Sequence, residues 1–79
     1  MAYAKTEEEW GTRASAFLKA EMKKAEVTYA EMIKRLKKHG FKGTEASLTM
    51  KLKRGAFSAS FMLASLAALE LDGVRLEDV

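Results

Sequence analysis

Lys34, Arg35, Lys37, Lys38, Lys42, Lys51, Lys53 and Arg54 stand within one contiguous stretch of the chain, and Glu45 is the only carboxylate among them. Eight cations against one anion suit one chemistry above others: contact with a polyanion, in which each ammonium or guanidinium replaces a counterion at a phosphate. The competing reading is a solvated, lysine-rich surface. Single-sign clusters on small domains are usually avoided unless used, which favours the polyanion.

The other reactive residue types do not assemble into a site. His39 is the only histidine and there is no cysteine, so no zinc-ligand set of the usual spacings can form. No Ser or Thr has a plausible His–carboxylate partner for nucleophilic attack. Glu7, Glu8 and Glu9 form a charge run that the positive end of a helix dipole explains. Gly40-x-x-Gly43 follows no strand and is read as turn chemistry rather than a phosphate loop. His39, after Lys37 and Lys38, suits a helix end. Catalysis, metal and cofactor are therefore not expected.

The 79 residues suffice for one core, and with 48% hydrophobic and 32% charged residues the chain falls in the range of ordinary globular domains. One domain over residues 1–79 is expected, ordered from about 8 to 76. Formal net charge is only +3, so the clustering of the cations says more than their sum. The longest apolar stretch, Phe61 to Leu71, is interrupted by Ser65 and Glu70 and falls short of the roughly 20 residues a membrane helix needs. The start of the chain turns acidic where a signal peptide would be apolar. A cytoplasmic protein without a membrane partner is expected.

The elements that must hold the basic stretch are read from caps and stripes. Between Glu8 and Ala25, Trp10, Ala14, Phe17, Leu18 and Met22 recur at helical spacing behind a cap at Thr6. Thr28-Tyr29-Ala30-Glu31 has the form of a capping box and opens a second helix to about Lys38, burying Met32, Ile33 and Leu36, with Val27 as staple and Gly40 as left-handed stop. Phe41 pins the following turn to the core. A third helix is capped by Thr44, carries Leu48 and Leu52 as a narrow apolar stripe, and ends at Gly55. Ser58 caps a fourth, apolar nearly all round through Leu71, which is expected to be buried on more than one side or to meet a second subunit. Val74-Arg75-Leu76 alternates like a short edge strand or an extended tail. Tyr3 is assigned to a mobile start.

This order of features resembles the lambda-repressor/Cro-like helix-turn-helix domains: an all-α, compact four-helix fold. The runs Leu18-Lys19-Ala20-Glu21-Met22-Lys23, Val27-Thr28-Tyr29 and Lys51-Leu52-x-Arg54-Gly55-x-Phe57-Ser58-Ala59 also look like a family of small bacterial domains of uncharacterised function. The resemblance spans about Trp10 to Leu76. It implies that the second helix is the first of the motif and that Thr44 to Arg54 is the recognition helix, lying in the major groove. Thr44, Ser47, Met50 and Lys51 would then lie nearest the bases, with Met50 against a thymine methyl, and Lys42, Lys53, Arg54, Thr28 and Tyr29 would touch the backbone. The sequence departs from the motif in two places: the turn His39 to Gly43 is about two residues longer than usual, and Ile33 stands where alanine is common.

The function expected is binding of duplex DNA, as a homodimer, in a small transcriptional regulator or a phage or plasmid control protein. The alternative is a protein-interaction module, antitoxin-like or adaptor, that docks through the helix Phe61 to Leu71 and the tail Val74 to Val79. RNA on the same basic face stays open.

Overall fold

Each helix begins at a hydroxyl that stands out in the sequence. In a computed structural model that describes residues 2–79, α1 spans Glu7–Lys24, α2 Tyr29–Lys38, α3 Glu45–Arg54 and α4 Ala59–Ala68, followed by a 3-10 turn at Leu76–Asp78. The Thr6, Thr28, Thr44 and Ser58 hydroxyls accept from the amides of Glu9, Glu31, Ser47 and Phe61 at 3.0, 3.1, 3.1 and 3.1 Å. Each satisfies one orphan donor, worth about 1 kcal/mol per cap.

The reciprocal capping box lies at Thr44, not at Thr28. The Thr44 amide donates to Ser47 Oγ at 2.9 Å, whereas the Glu31 carboxylate accepts from Arg35 Nε at 3.3 Å. A full positive charge one turn along draws the carboxylate down the helix and away from the cap amide.

Three helix ends share one device. The amides of Val27, Phe41 and Leu71 reach back to the carbonyls of Met22, Leu36 and Leu66 at 2.8, 3.0 and 2.9 Å, the long bond of a Schellman motif. The left-handed residue is Gly40 after α2, but Glu26 (φ 56°) after α1 and Glu70 (φ 59°) after α4. Apolar anchors pack beyond all three ends, since Val27, Phe41 and Leu71 belong to or lie against the core. That burial holds the two glutamates in a conformation L-residues disfavour.

The core joins Leu18 and Met22 of α1, Met32 and Leu36 of α2, Leu48 and Leu52 of α3, Phe61 and Leu66 of α4, and Leu69 just after it. α3 packs on both α1 and α2, and α2 on α4. At the α1–α3 crossing, Ser15 Oγ donates to the Leu52 carbonyl at 2.7 Å, and Gly11 meets Gly55 backbone to backbone. At the α2–α4 crossing, Arg35 Nη1 donates to the Ala68 carbonyl at 3.0 Å.

Two of the alternatives read from the sequence, the edge strand and an enclosed α4, are not found, and one helix boundary moves. Val74 to Leu76 forms no strand, and there is none among the described residues; with no neighbouring edge to pair with, the segment ends in a 3-10 turn. α4 is not enclosed: it packs through Phe61, Ser65, Leu66 and Ala68, while Leu63 on the opposite side is 67% exposed. It also stops at Ala68, three residues before Leu71, because Glu70 takes up the left-handed turn. At the start of the chain, Tyr3 packs against Trp10 with ring centroids 6.3 Å apart, and Arg13 Nη1 donates to the Ala2 carbonyl at 2.9 Å. No helix among the described residues is long and apolar enough to cross a membrane.

Candidate nucleic-acid interface

α3 enters the core through Leu48 and Leu52 alone. By helical spacing the stripe opposite those leucines is Ala46, Met50 and Lys53, with Arg54 beside it. All four are exposed, Met50 at 46%. A helix buried on so narrow a stripe presents most of its circumference outward.

The first turn is self-satisfied. Thr44 and Ser47 are exposed, but Ser47 Oγ accepts from the Thr44 amide and donates to the Thr44 carbonyl at 2.9 Å. Thr49 Oγ1 donates to the Glu45 carbonyl at 2.8 Å. Of these side chains, the Thr44 hydroxyl hydrogen is the donor left without a partner among the described residues.

Lys51 lies differently from its neighbours. Its ammonium sits 4.5 Å from the centroid of the Phe61 ring, which in turn packs edge-on against Phe41 at 6.0 Å. A cation over an aromatic face contributes about 0.5–1 kcal/mol at exposed sites. Lys51 thus lines the crevice between α2, α3 and α4 together with Lys42 and Ser47.

The remaining cations divide cleanly. Arg35 is half-buried between Glu31 and the Ala68 carbonyl, so it is part of the scaffold rather than of an exposed face. Among the described residues, Lys34, Lys37, Lys38, Lys42, Lys53 and Arg54 are exposed and enter no salt bridge. Lys42 stands in the connection before α3; Lys53 and Arg54 close α3. Thr28 and Tyr29 stand apart from them at the start of α2, where Thr28 is the cap and Tyr29 packs on the core.

The long connection from His39 to Thr44 accommodates Ile33. Its Cδ1 lies 3.7 Å from where a Cβ on Gly43 would be. At that distance a Cβ would make only an ordinary contact, so Ile33 reaches the connection without crowding it, and Phe41 ties the connection to the core.

Gly11, Ser15 and Ala46 stand outside the caps and apolar stripes that mark the helices. Gly11, Ser15, Leu18 and Met22 follow a four-three-four spacing along α1, which is the signal that points to the α1–α3 contact. Ala46 is one turn before Met50 on the outward stripe.

Residues 10–74 match a family described as a domain of unknown function (DUF6471). No curated protein and no solved structure matches the chain.

Proposed function

The chain belongs to that family, and from the placement of its own side chains we propose that it binds duplex DNA through the outward face of α3, with α2 and α3 acting as a helix-turn-helix pair. One observation carries the reading: α3 buries only Leu48 and Leu52, while Met50, Lys53 and Arg54 stand exposed, and neither cation is engaged in a salt bridge. Free cations beside a protruding helix suit a groove flanked by phosphates.

In this reading Lys42, Lys53 and Arg54 contact phosphates, with Thr28 and Tyr29 at the start of α2. Thr44, Ser47 and Met50 lie toward base edges. Lys51 has a different part from the one the resemblance implied: held on Phe61, it supports α3 from behind. A single small domain covers little DNA, so two copies on two half-sites are expected, in a cytoplasmic regulator or a phage or plasmid control protein without a catalytic step.

The test is fluorescence anisotropy with a labelled random duplex from 50 to 200 mM salt. Neutralising three phosphates per copy gives a log–log slope of about −3 for each copy bound. A flat response at measurable affinity, or no binding at low salt, removes the proposal.

A second reading rests on α4. Its segment from Ala59 to Leu69 contains no charged residue, and Leu63 on its open side is 67% exposed. Such a face suits a protein partner, a second copy included, as in an adaptor or antitoxin. Leu63→Glu would lower the mass seen by light scattering if copies pair there, and would leave it unchanged if they do not.

A further inference from the structure

The outward face of α3 is apolar at its centre and cationic only at its rim. Ala46 and Met50, one turn apart, are both exposed. Of the hydroxyl donors between Thr44 and Arg54, Ser47 Oγ is spent on the Thr44 carbonyl at 2.9 Å and Thr49 Oγ1 on the Glu45 carbonyl at 2.8 Å, which leaves that of Thr44 at the cap. Between Thr44 and Arg54 there is no Asn or Gln, and the one arginine is the last residue of the helix. Lys51, the cation of the middle turn, is drawn onto the Phe61 ring at 4.5 Å.

Resting on the DNA-binding reading above, we infer that α3 selects thymine by its C5 methyl group, with Met50 and Ala46 as the contacting side chains, and that its preferred duplex is rich in A·T pairs. In the major groove guanine is read by forked or charged donors and adenine by the Asn or Gln amide. The thymine methyl is the base-edge feature that an apolar surface recognises. Lys53 and Arg54 lie at the C-terminal end of α3, while the N-terminal part of a recognition helix is what meets the bases. Glu45, the acceptor of the first turn, falls on the Thr49 and Leu52 side by helical spacing, away from the Ala46 and Met50 stripe.

The experiment compares two labelled A·T duplexes that differ only in carrying thymine or uracil, a change that removes the methyl and keeps pairing and charge. The full chain is expected to bind the thymine duplex about fourfold more tightly for each methyl covered. Met50→Ala narrows the difference between the two affinities to what Ala46 covers, while the salt slope stays unchanged. Equal affinities of the unaltered chain with a steep salt slope overturn methyl readout and leave DNA binding standing. A preference undiminished in Met50→Ala overturns the assignment to this face, and absence of binding to either duplex at low salt overturns both proposals.

Discussion

Gly11 and Gly55 touch through their backbones: a Cβ on Gly55 would lie 2.8 Å from the Gly11 carbonyl oxygen, and one on Gly11 would press into the Gly55 carbonyl. The C-terminal end of α3 thereby rests on the first half of α1. Gly55 also needs its left-handed φ of 64° to end the helix. Gly11→Ala gains about 1 kcal/mol of helix propensity but forces a backbone displacement, for which overpacking costs about 1–3 kcal/mol. The expected outcome is a net loss, read as a Tm lower by about 5 °C. A higher Tm would show that the two backbones part without cost.

Two buried serines should respond in opposite directions. Ser15 Oγ serves the Leu52 carbonyl at 2.7 Å, one of the last four carbonyls of α3, which lack a helical partner. Ser15→Ala leaves it buried and unpaired, a loss of about 1–3 kcal/mol. Ser65 Oγ is fully buried with no hydrogen-bond partner among the described residues, so Ser65→Ala removes a desolvated hydroxyl and stabilises by about 1 kcal/mol. Urea midpoints of the two variants, at unchanged m-value, check both signs.

Glu26 and Glu70 occupy left-handed positions where Gly40 stands after α2. Strain of about 1–2 kcal/mol is offset in part by the greater unfolded freedom of glycine. Glu26→Gly and Glu70→Gly are each expected to raise the denaturation midpoint, by roughly 0.5 kcal/mol. A lowered midpoint in both would mean that the carboxylates contribute interactions that outweigh the backbone strain.

Lysines of α3 should separate by role. Lys53→Gln with Arg54→Gln is expected to weaken duplex binding strongly and to flatten the salt slope by about 2 for each copy bound, with the thermal midpoint near its original value because both side chains are exposed and neutral residues replace them. Lys51→Ala does the reverse: it lowers stability by about 0.5–1 kcal/mol through loss of the contact with Phe61 and leaves the slope unchanged. Parallel melting and anisotropy on the same preparations distinguish the two effects.

Helix positions were legible because their signals are local. Thr6, Thr28, Thr44 and Ser58 each cap from their own first turn, and Leu48 and Leu52 mark a narrow stripe whatever the helix packs on. The partners across helices were not legible. Nothing near Ser15 in sequence announces Leu52, and Gly11 inside a helix reads as a weak point until Gly55 is set against it. Arg35 and Lys51 show the same limit: their charge is visible, but the Ala68 carbonyl and the Phe61 ring that hold them come from a distant segment. The box expected at Thr28 failed for a local reason, since Arg35 competes for the Glu31 carboxylate. The alternation of Val74 to Leu76 left strand and extended tail open because a strand is defined by its neighbour, and none stands beside it among the described residues.

The most direct test of the central claim is a residue-by-residue map of amide chemical shifts, recorded on labelled protein as a duplex is added at low salt. Perturbations are predicted to concentrate on Lys42 to Arg54, strongest at Ala46, Met50 and Lys53, with smaller changes at Thr28 and Tyr29. Perturbations centred on Leu63 and the outer face of α4, or none anywhere, would contradict the assignment of α3 as the DNA-binding face.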